Sequence, residues 1–491
     1  MKLYHNRVIT CISLLLIIFF VTTACTLQPP RVKSSGLPQR EYAYQIPEKI
    51  ADGWETSSLE EEGFNSEKIV ELIEDILSEN YKNIHSVLLV KNGKLILEEY
   101  FYGYDRHTKH GMMSTAKSVT SILIGIAVDN GMIDNVDKKV YKFFPEYENL
   151  NWSDHRAEIR LEHILTMTTG LEFNELQYHH YDSRNSVPGM YRSSDPIKYV
   201  FQQKMLNKPG DKFNYSTGLT LVLGGVIRNT SGLYADTFAE KYLFSPLGIS
   251  EYIWEKHPDG TIQTGGGPRG GLLLKPRDMA KIGQIMLKNG KWNGRQIVSQ
   301  KWIAESTKEH VSDAFAGWSY GYQWLQAKDV VSNIEIEMFF AAGHGGQYIF
   351  VFPSLELIAV FTSKLYNPLG ELRPPGMLKT YILPACMPTA PPVQTSKIDP
   401  VVLDNYVGKY RVVQQTYVID TIVVFSDADR LFCRTPDGEN FELFSTAKNE
   451  FIGTWKGIGN CRLSFVKDRN DKIKHLFINI GFGEIQFDKV K

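Results

Sequence analysis

From Ser86 onward the chain sets short apolar runs around a tight turn: Ser86-Val87-Leu88-Leu89-Val90, then Lys91-Asn92-Gly93-Lys94, then Leu95-Ile96-Leu97. An Asn-Gly pair between two such runs predicts a β-hairpin, because both residues tolerate the positive φ that a two-residue turn demands. Thr115 to Ala127 follows, apolar on nearly every side, which predicts a helix buried in the domain and ended by Asn130-Gly131. Helical patterns at Leu161 to Met167, Leu219 to Ile227 and Arg277 to Leu287, the last opened by Pro276, predict a mainly helical middle section. Strand-like runs return at Trp318 to Trp324, Tyr348 to Phe352 and Leu357 to Thr362. One hairpin early, strands late and helices between them predict a single antiparallel sheet assembled from both ends of a domain. A proline-rich passage from Pro384 to Pro400 marks a boundary. Beyond it, Tyr417 to Phe425, Leu431 to Cys433 and Leu463 to Val466 recur between turn residues without helical period, which predicts a small all-β domain over 400–491.

The N-terminus follows another logic. Lys2 and Arg7 precede an apolar run from Val8 to Val21, then Thr22-Thr23-Ala24-Cys25. This pattern predicts a signal peptide over 1–24, with lipidation of Cys25 at a bacterial lipobox, an uncleaved anchor or a plain signal peptide being the alternatives, and a flexible tether to about residue 45, rich in Pro29, Pro30, Ser34, Ser35, Gly36 and Pro38. The expected location is the extracytoplasmic face of a bacterial cell membrane, with the lipid anchor as the only membrane contact. A net charge of -1 from 54 bases and 55 acids leaves no field to gather nucleic acid, so no nucleic-acid partner is expected. Cys386, Cys433 and Cys461 are too few and scattered for a disulfide framework or a zinc site; Cys433 and Cys461 are either a pair or two free thiols.

The spacing Ser-x-x-Lys occurs three times, at Ser114-Lys117, Ser445-Lys448 and Ser464-Lys467. Ser445-Thr446-Ala447-Lys448 repeats Ser114-Thr115-Ala116-Lys117 letter for letter, yet it lies in β-type sequence, as does Ser464. Only Ser114 opens a buried helix, where residues three apart share a face. There burial disfavours the charged form of Lys117 and makes a neutral amine available as a base, while the helix N-terminus offers N–H groups to a developing oxyanion. The plain alternative is a serine N-cap with a solvent-facing lysine. Tyr215, in the loop Pro209 to Gly218 before an apolar helix, is a candidate proton relay. Gly343-His344-Gly345-Gly346-Gln347 precedes a strand, so its glycines admit a substrate backbone, the Gln347 N–H is a candidate second oxyanion donor and His344 a candidate substrate contact.

This order of motifs resembles the serine β-lactamase and penicillin-binding-protein superfamily, and more closely its β-lactamase-related (CubicO-type) branch, over about 50 to 385. Supporting stretches are Leu161 to Leu171, Gly270 to Ala280 and Gly343 to Pro353. The resemblance implies an α/β (α+β) fold, a β-lactamase/transpeptidase-like antiparallel sheet flanked by helices over 46–385, with a lipocalin-like C-terminal β domain. It also implies Ser114 as acylated nucleophile, Lys117 and Tyr215 as acid/base partners, substrate contacts from Thr217, His344, Gly345 and Gly346, and no metal or other cofactor. Thr217 stands where the family has asparagine, and His344-Gly345-Gly346 where it has Lys-Thr-Gly. Both lost side chains serve class C β-lactamases on their substrate, so a small ester, amide or peptide is implied in place of an antibiotic. Two other readings stand beside the hydrolase: a surface sensor that is acylated with little turnover, and a metallohydrolase around His179, His180 and Asp182, which lacks an HExxH-type helix. The loop Glu172 to Asn185 is expected to wall the cleft.

Overall fold

The computed structural model describes residues 42–178, 182–315, 317–331, 334–367, 370–388, 394–396, 400–413, 421–436, 438–456, 458–479 and 483–490. The predicted signal peptide, Cys25 and all but the last residues of the tether lie outside the described residues, as do His179 and His180. Among the described residues no helix is long and apolar enough to cross a membrane.

The centre of the first domain is a nine-stranded sheet of β1 (Glu55–Thr56), β2 (Ile84–Lys91), β3 (Lys94–Tyr100), β4 (Val311–Phe315), β5 (Trp318–Tyr320), β6 (Leu325–Val331), β7 (Ile334–Gly343), β8 (Gln347–Phe352) and β9 (Leu357–Ser363). Its spatial order is β1-β3-β2-β9-β8-β7-β6-β5-β4. The early hairpin is thus stitched to the late strands by the antiparallel β2–β9 ladder, Val87 opposite Phe361 and Leu89 opposite Ala359. Only the two-residue β1 pairs in parallel. Asn92 and Gly93 take φ values of 52° and 81°, the positive pair that their hairpin turn needs.

Because successive strand residues point to opposite faces, β2 feeds two cores. Leu88 and Val90 join one buried cluster, Val87 and Leu89 another. The first is covered by α2 (Thr115–Asp129), α3 (Thr217–Ser231) and α4 (Pro276–Leu287). The second is covered by α1 (Ser66–Leu77) and by the helical segment Arg373–Cys386. Helix α3 ends where Gly232 adopts φ 73°, a left-handed cap that a Cβ would strain. The run Trp318 to Trp324 is not one strand as its alternation suggested: β5 stops at Tyr320 and the chain turns through Gly321-Tyr322-Gln323, with Gln323 at φ 62°. Gly321 lies so close to Ser306 that a Cβ would sit 2.3 Å from the Ser306 carbonyl oxygen, which forces the turn.

The C-terminal domain is a closed barrel of eight antiparallel strands, each paired with its neighbour in sequence and the last with the first: Gly408–Val412, Thr421–Asp427, Arg430–Arg434, Asn440–Ala447, Glu450–Trp455, Gly459–Lys467, Ile473–Asn479 and Glu484–Lys489. Closure removes the unpaired edges of a small sheet. Its inside is filled by side chains such as Tyr410, Trp455 and Phe465. Cys433 and Cys461 are buried there as free thiols, so the alternative of a bridge is not realised. The barrel docks on the Arg373–Cys386 segment, where Gly376 lies against the Ile458 carbonyl and Lys379 joins Asp329 (2.6 Å) to Asn479 (3.0 Å).

Helix α2 is packed tightly enough that Gly125 has no spare volume: a Cβ there would meet Trp302 Cδ1 at 2.3 Å. Gly125→Ala is expected to overpack this contact and cost about 1–3 kcal/mol, measured as a lower Tm in thermal unfolding. An unchanged Tm would show that α2 is not held as described.

Candidate active site

Ser114 stands at the junction between an extended segment and α2. The chain arrives through the short strand His110–Gly111, and Met113 adopts φ 52°, a left-handed conformation costly for a side chain of that size. The turn places Ser114 at the N-cap of α2, but its hydroxyl makes no capping bond. It faces Lys117 instead, whose Nζ donates to Ser114 Oγ at 2.9 Å. The solvent-facing alternative for Lys117 fails, since the residue is only 2% exposed. Burial pushes its pKa from the usual lysine value down to about 8, with the negative charge of Glu175 opposing the shift. Two further acceptors complete its surroundings: Thr217 Oγ1 at 3.0 Å and Gly265 O at 2.5 Å.

The loop before α3 brings in the second motif. Tyr215 is partly exposed, and its ring centroid lies 4.8 Å from Lys117 Nζ. Desolvation holds the phenol protonated well above its ordinary range, Glu175 adds to that effect, and a hydrogen bond with Ser114 works against it. Ser216 caps α3 by accepting from Leu219 N, and this fixes Thr217 at the first turn. Glu175, which no motif singled out, takes both donors of Thr217: the amide N–H and the hydroxyl each at 2.6 Å. The loop expected as a cleft wall therefore contributes a buried carboxylate, held in part by Asn185 Nδ2 donating to the Glu175 carbonyl (3.0 Å). Asp182 is occupied by Arg184 at 2.7 Å.

The third motif sits differently from its expected place. The strand edge along Ser114 is the end of β7: Phe340 and Ala342 line the cavity beside the serine, and a Cβ on Gly343 would lie 2.4 Å from Met112 O and 2.8 Å from Thr115 Oγ1. His344, Gly345 and Gly346 form the turn into β8, with both glycines at φ 81°. His344 pairs with Glu371 at 2.5 Å, which raises its pKa, and packs against Tyr366 at 5.1 Å. Gln347 is buried; its side chain bonds Ser363 O (2.6 Å) and Gly345 O (3.2 Å), and its carbonyl accepts from Thr115 Oγ1. None of residues 344–347 lines that cavity. Two glycines with positive φ make a turn where the sequence pattern suggested the start of an open edge.

The remaining wall comes from β5 and β6. Tyr320, Gln323 and Leu325 complete a cavity of about 20 Å³, enough for about one water. Phe315 meets Tyr215 edge to face at 5.2 Å and Phe213 at 5.3 Å, so the β4–β5 hairpin braces the tyrosine. At the tip of that hairpin a Cβ on Gly317 would stand 3.2 Å from the Glu484 amide nitrogen, so the barrel touches the tip of the hairpin.

This arrangement of sheet, helices and site belongs to a known class. The chain matches the Beta-lactamase family over residues 84–381, more than half of its length, and belongs to that family. It is 28% identical over 307 residues to the 6-aminohexanoate-dimer hydrolase of Paenarthrobacter ureafaciens, covering 57% of this chain and 72% of the relative. It is 21% identical over 332 residues to a Salmonella agona protein provisionally named D-alanyl-D-alanine carboxypeptidase, covering 55% and 74%. The octameric penicillin-binding protein homologue from Pyrococcus abyssi shares the fold, with a TM-score of 0.53 at 18% identity over 86% of this chain and 99% of its own. Family membership and hydrolase relatives support hydrolase activity for this chain.

An amine whose pKa is pushed down to about 8, beside a serine hydroxyl, makes a testable pH profile. Below that value Lys117 is mainly protonated, so kcat/KM is expected to rise with pH and level off above about 8. Lys117→Met, which keeps the volume and removes the amine, is expected to lower kcat/KM by about 10²–10⁴-fold without unfolding the protein. An acid limb unrelated to this range, or a Met variant that keeps its rate, would contradict the assignment.

Proposed function

We propose that this protein is a serine hydrolase that forms an acyl-enzyme on Ser114 and cleaves esters or small amides and peptides. The observation that carries the reading is a desolvated lysine amine 2.9 Å from a serine hydroxyl at a helix N-terminus. Neutral Lys117 takes the Ser114 proton as Oγ bonds to the substrate carbonyl carbon. The tetrahedral oxyanion forms beside the N-terminus of α2, with the Ser114 N–H as its donor. Collapse breaks the bond to the leaving group, which receives a proton relayed from Lys117 through the phenol of Tyr215. Water then attacks the acyl-enzyme, gives a proton back along the same groups and frees Ser114. The relatives named for an aminohexanoate dimer and for a D-alanyl peptide point toward short linear amides. The apolar walls of Leu325, Phe340 and Ala342 favour a small acyl group. The proposal includes export and lipidation at Cys25, which the charged, apolar and small-residue segments of the N-terminus support.

With a short-chain p-nitrophenyl ester, the mature protein is expected to release nitrophenol at a steady rate that Ser114→Ala abolishes. A stable adduct with a single burst of nitrophenol would favour the acylated sensor. Turnover unaffected by Ser114→Ala would overturn the nucleophile. In a bacterial host, radiolabelled palmitate is expected in the wild type and not in Cys25→Ala; equal incorporation would contradict the anchor.

A further inference from the structure

Thr217 bridges two groups of opposite charge. Its hydroxyl hydrogen is committed to Glu175 at 2.6 Å and its amide N–H to the other carboxylate oxygen. A hydroxyl has one hydrogen, so the side of Thr217 that faces Lys117 can only accept. Gly265 O can also only accept. A neutral Lys117 amine has two N–H groups and one lone pair, and with those two acceptors fixed the lone pair is left to the third direction. Ser114 Oγ lies there. We propose that Glu175, acting through Thr217, is a positioning residue that aims the Lys117 lone pair at Ser114 and sets the pH range in which the pair reacts.

The inference rests on the Ser–Lys reading above and adds to it a residue on no motif. Glu175 is 7% exposed, a costly place for a carboxylate unless it is hydrogen-bonded and faces a cation. The other groups around Lys117 are the phenols of Tyr215 and Tyr320, both of which feel Glu175, as does Tyr191. More distant acids act on these phenols: Glu371 at Tyr215 and Glu255 at Tyr191. Burial drives Lys117 toward the amine and Glu175 drives it toward the ammonium. Removing the charge therefore lets Lys117 lose its proton at lower pH. It also releases the geometry: in Glu175→Gln the new amide NH₂ donates to the Thr217 hydroxyl, whose hydrogen is then free to bond the Lys117 lone pair in competition with Ser114.

The test uses the whole protein with ¹³C-labelled lysine Cε, so that Lys117 is titrated by NMR whether or not a substrate turns over. In Glu175→Gln the Lys117 midpoint is expected to fall by about one pH unit or more. The acid limb of kcat/KM for a neutral p-nitrophenyl ester is expected to move the same way, with a lower plateau. Glu175→Asp keeps the charge with a shorter reach, so the midpoint is expected to stay near that of the wild type while the plateau falls. Thr217→Val, which cuts the link and leaves the carboxylate, is expected to lower the plateau with a smaller change of midpoint, and it serves if the Gln variant does not fold. An unchanged midpoint in folded Glu175→Gln, or an unchanged plateau in Thr217→Val, would overturn the proposal. A wild type that titrates as described but hydrolyses nothing would count against the hydrolase reading and not against the role of Glu175.

Discussion

The site depends on keeping one amine out of water. Lys117 is 2% exposed, and the burial of its charge is offset by three acceptors, Ser114 Oγ, Thr217 Oγ1 and Gly265 O. Each requires a different part of the fold. Ser114 is in place because Met113 is held at positive φ before α2, Thr217 because Ser216 caps α3, and Gly265 because the segment ahead of α4 runs back across both helices. Helix α2 itself is buried along its length from Thr115 to Ala127, which no amphipathic surface helix tolerates. The apolar sequence of α2 is the condition for a lysine whose pKa burial pushes down to about 8.

Much of this was legible in the chain. The Asn92-Gly93 turn, the uninterrupted apolar content of α2 and the turn-punctuated tail all announce local structure that tertiary contacts reinforce. Ser114 and Lys117 were legible because helical spacing alone puts them together. Glu175 was not, because it lies 42 residues from Thr217 in a loop with no periodic signal. Its link to the site exists only once this loop has packed against the first turn of α3. The β7 edge was hidden for a related reason: Phe340, Ala341 and Ala342 look like core, and the eye goes to the glycines after them. Those glycines serve the turn, where their positive φ values and the Gly345 N–H donating to Glu371 fix the connection to β8. Gly321 likewise broke the predicted strand through a close approach to Ser306 that no local pattern contains.

The two domains meet in a way that bears on the site. The barrel is fastened through Gly376 and Lys379, and beside the Lys379–Asn479 contact its Glu484 lies against Gly317. Gly317 is the tip of the β4–β5 hairpin, whose Phe315 packs on Tyr215 and whose Tyr320 lines the cavity beside Ser114. Among the described residues the sheet ends at β4. The barrel therefore touches the same hairpin that packs on Tyr215.

The chain also carries its own control. Ser445-Thr446-Ala447-Lys448 has the same four residues as Ser114 to Lys117, but Ser445 lies in a barrel strand and donates to Ala447 O at 3.2 Å. If reactivity comes from helical geometry and desolvation and not from the tetrapeptide, the two serines must differ. The direct measurement is peptide mapping after treatment with a small neutral fluorophosphonate. Modification confined to Ser114 is expected, and modification of Ser445, or of both serines to similar extents, would contradict the central role of the buried Ser114–Lys117 pair.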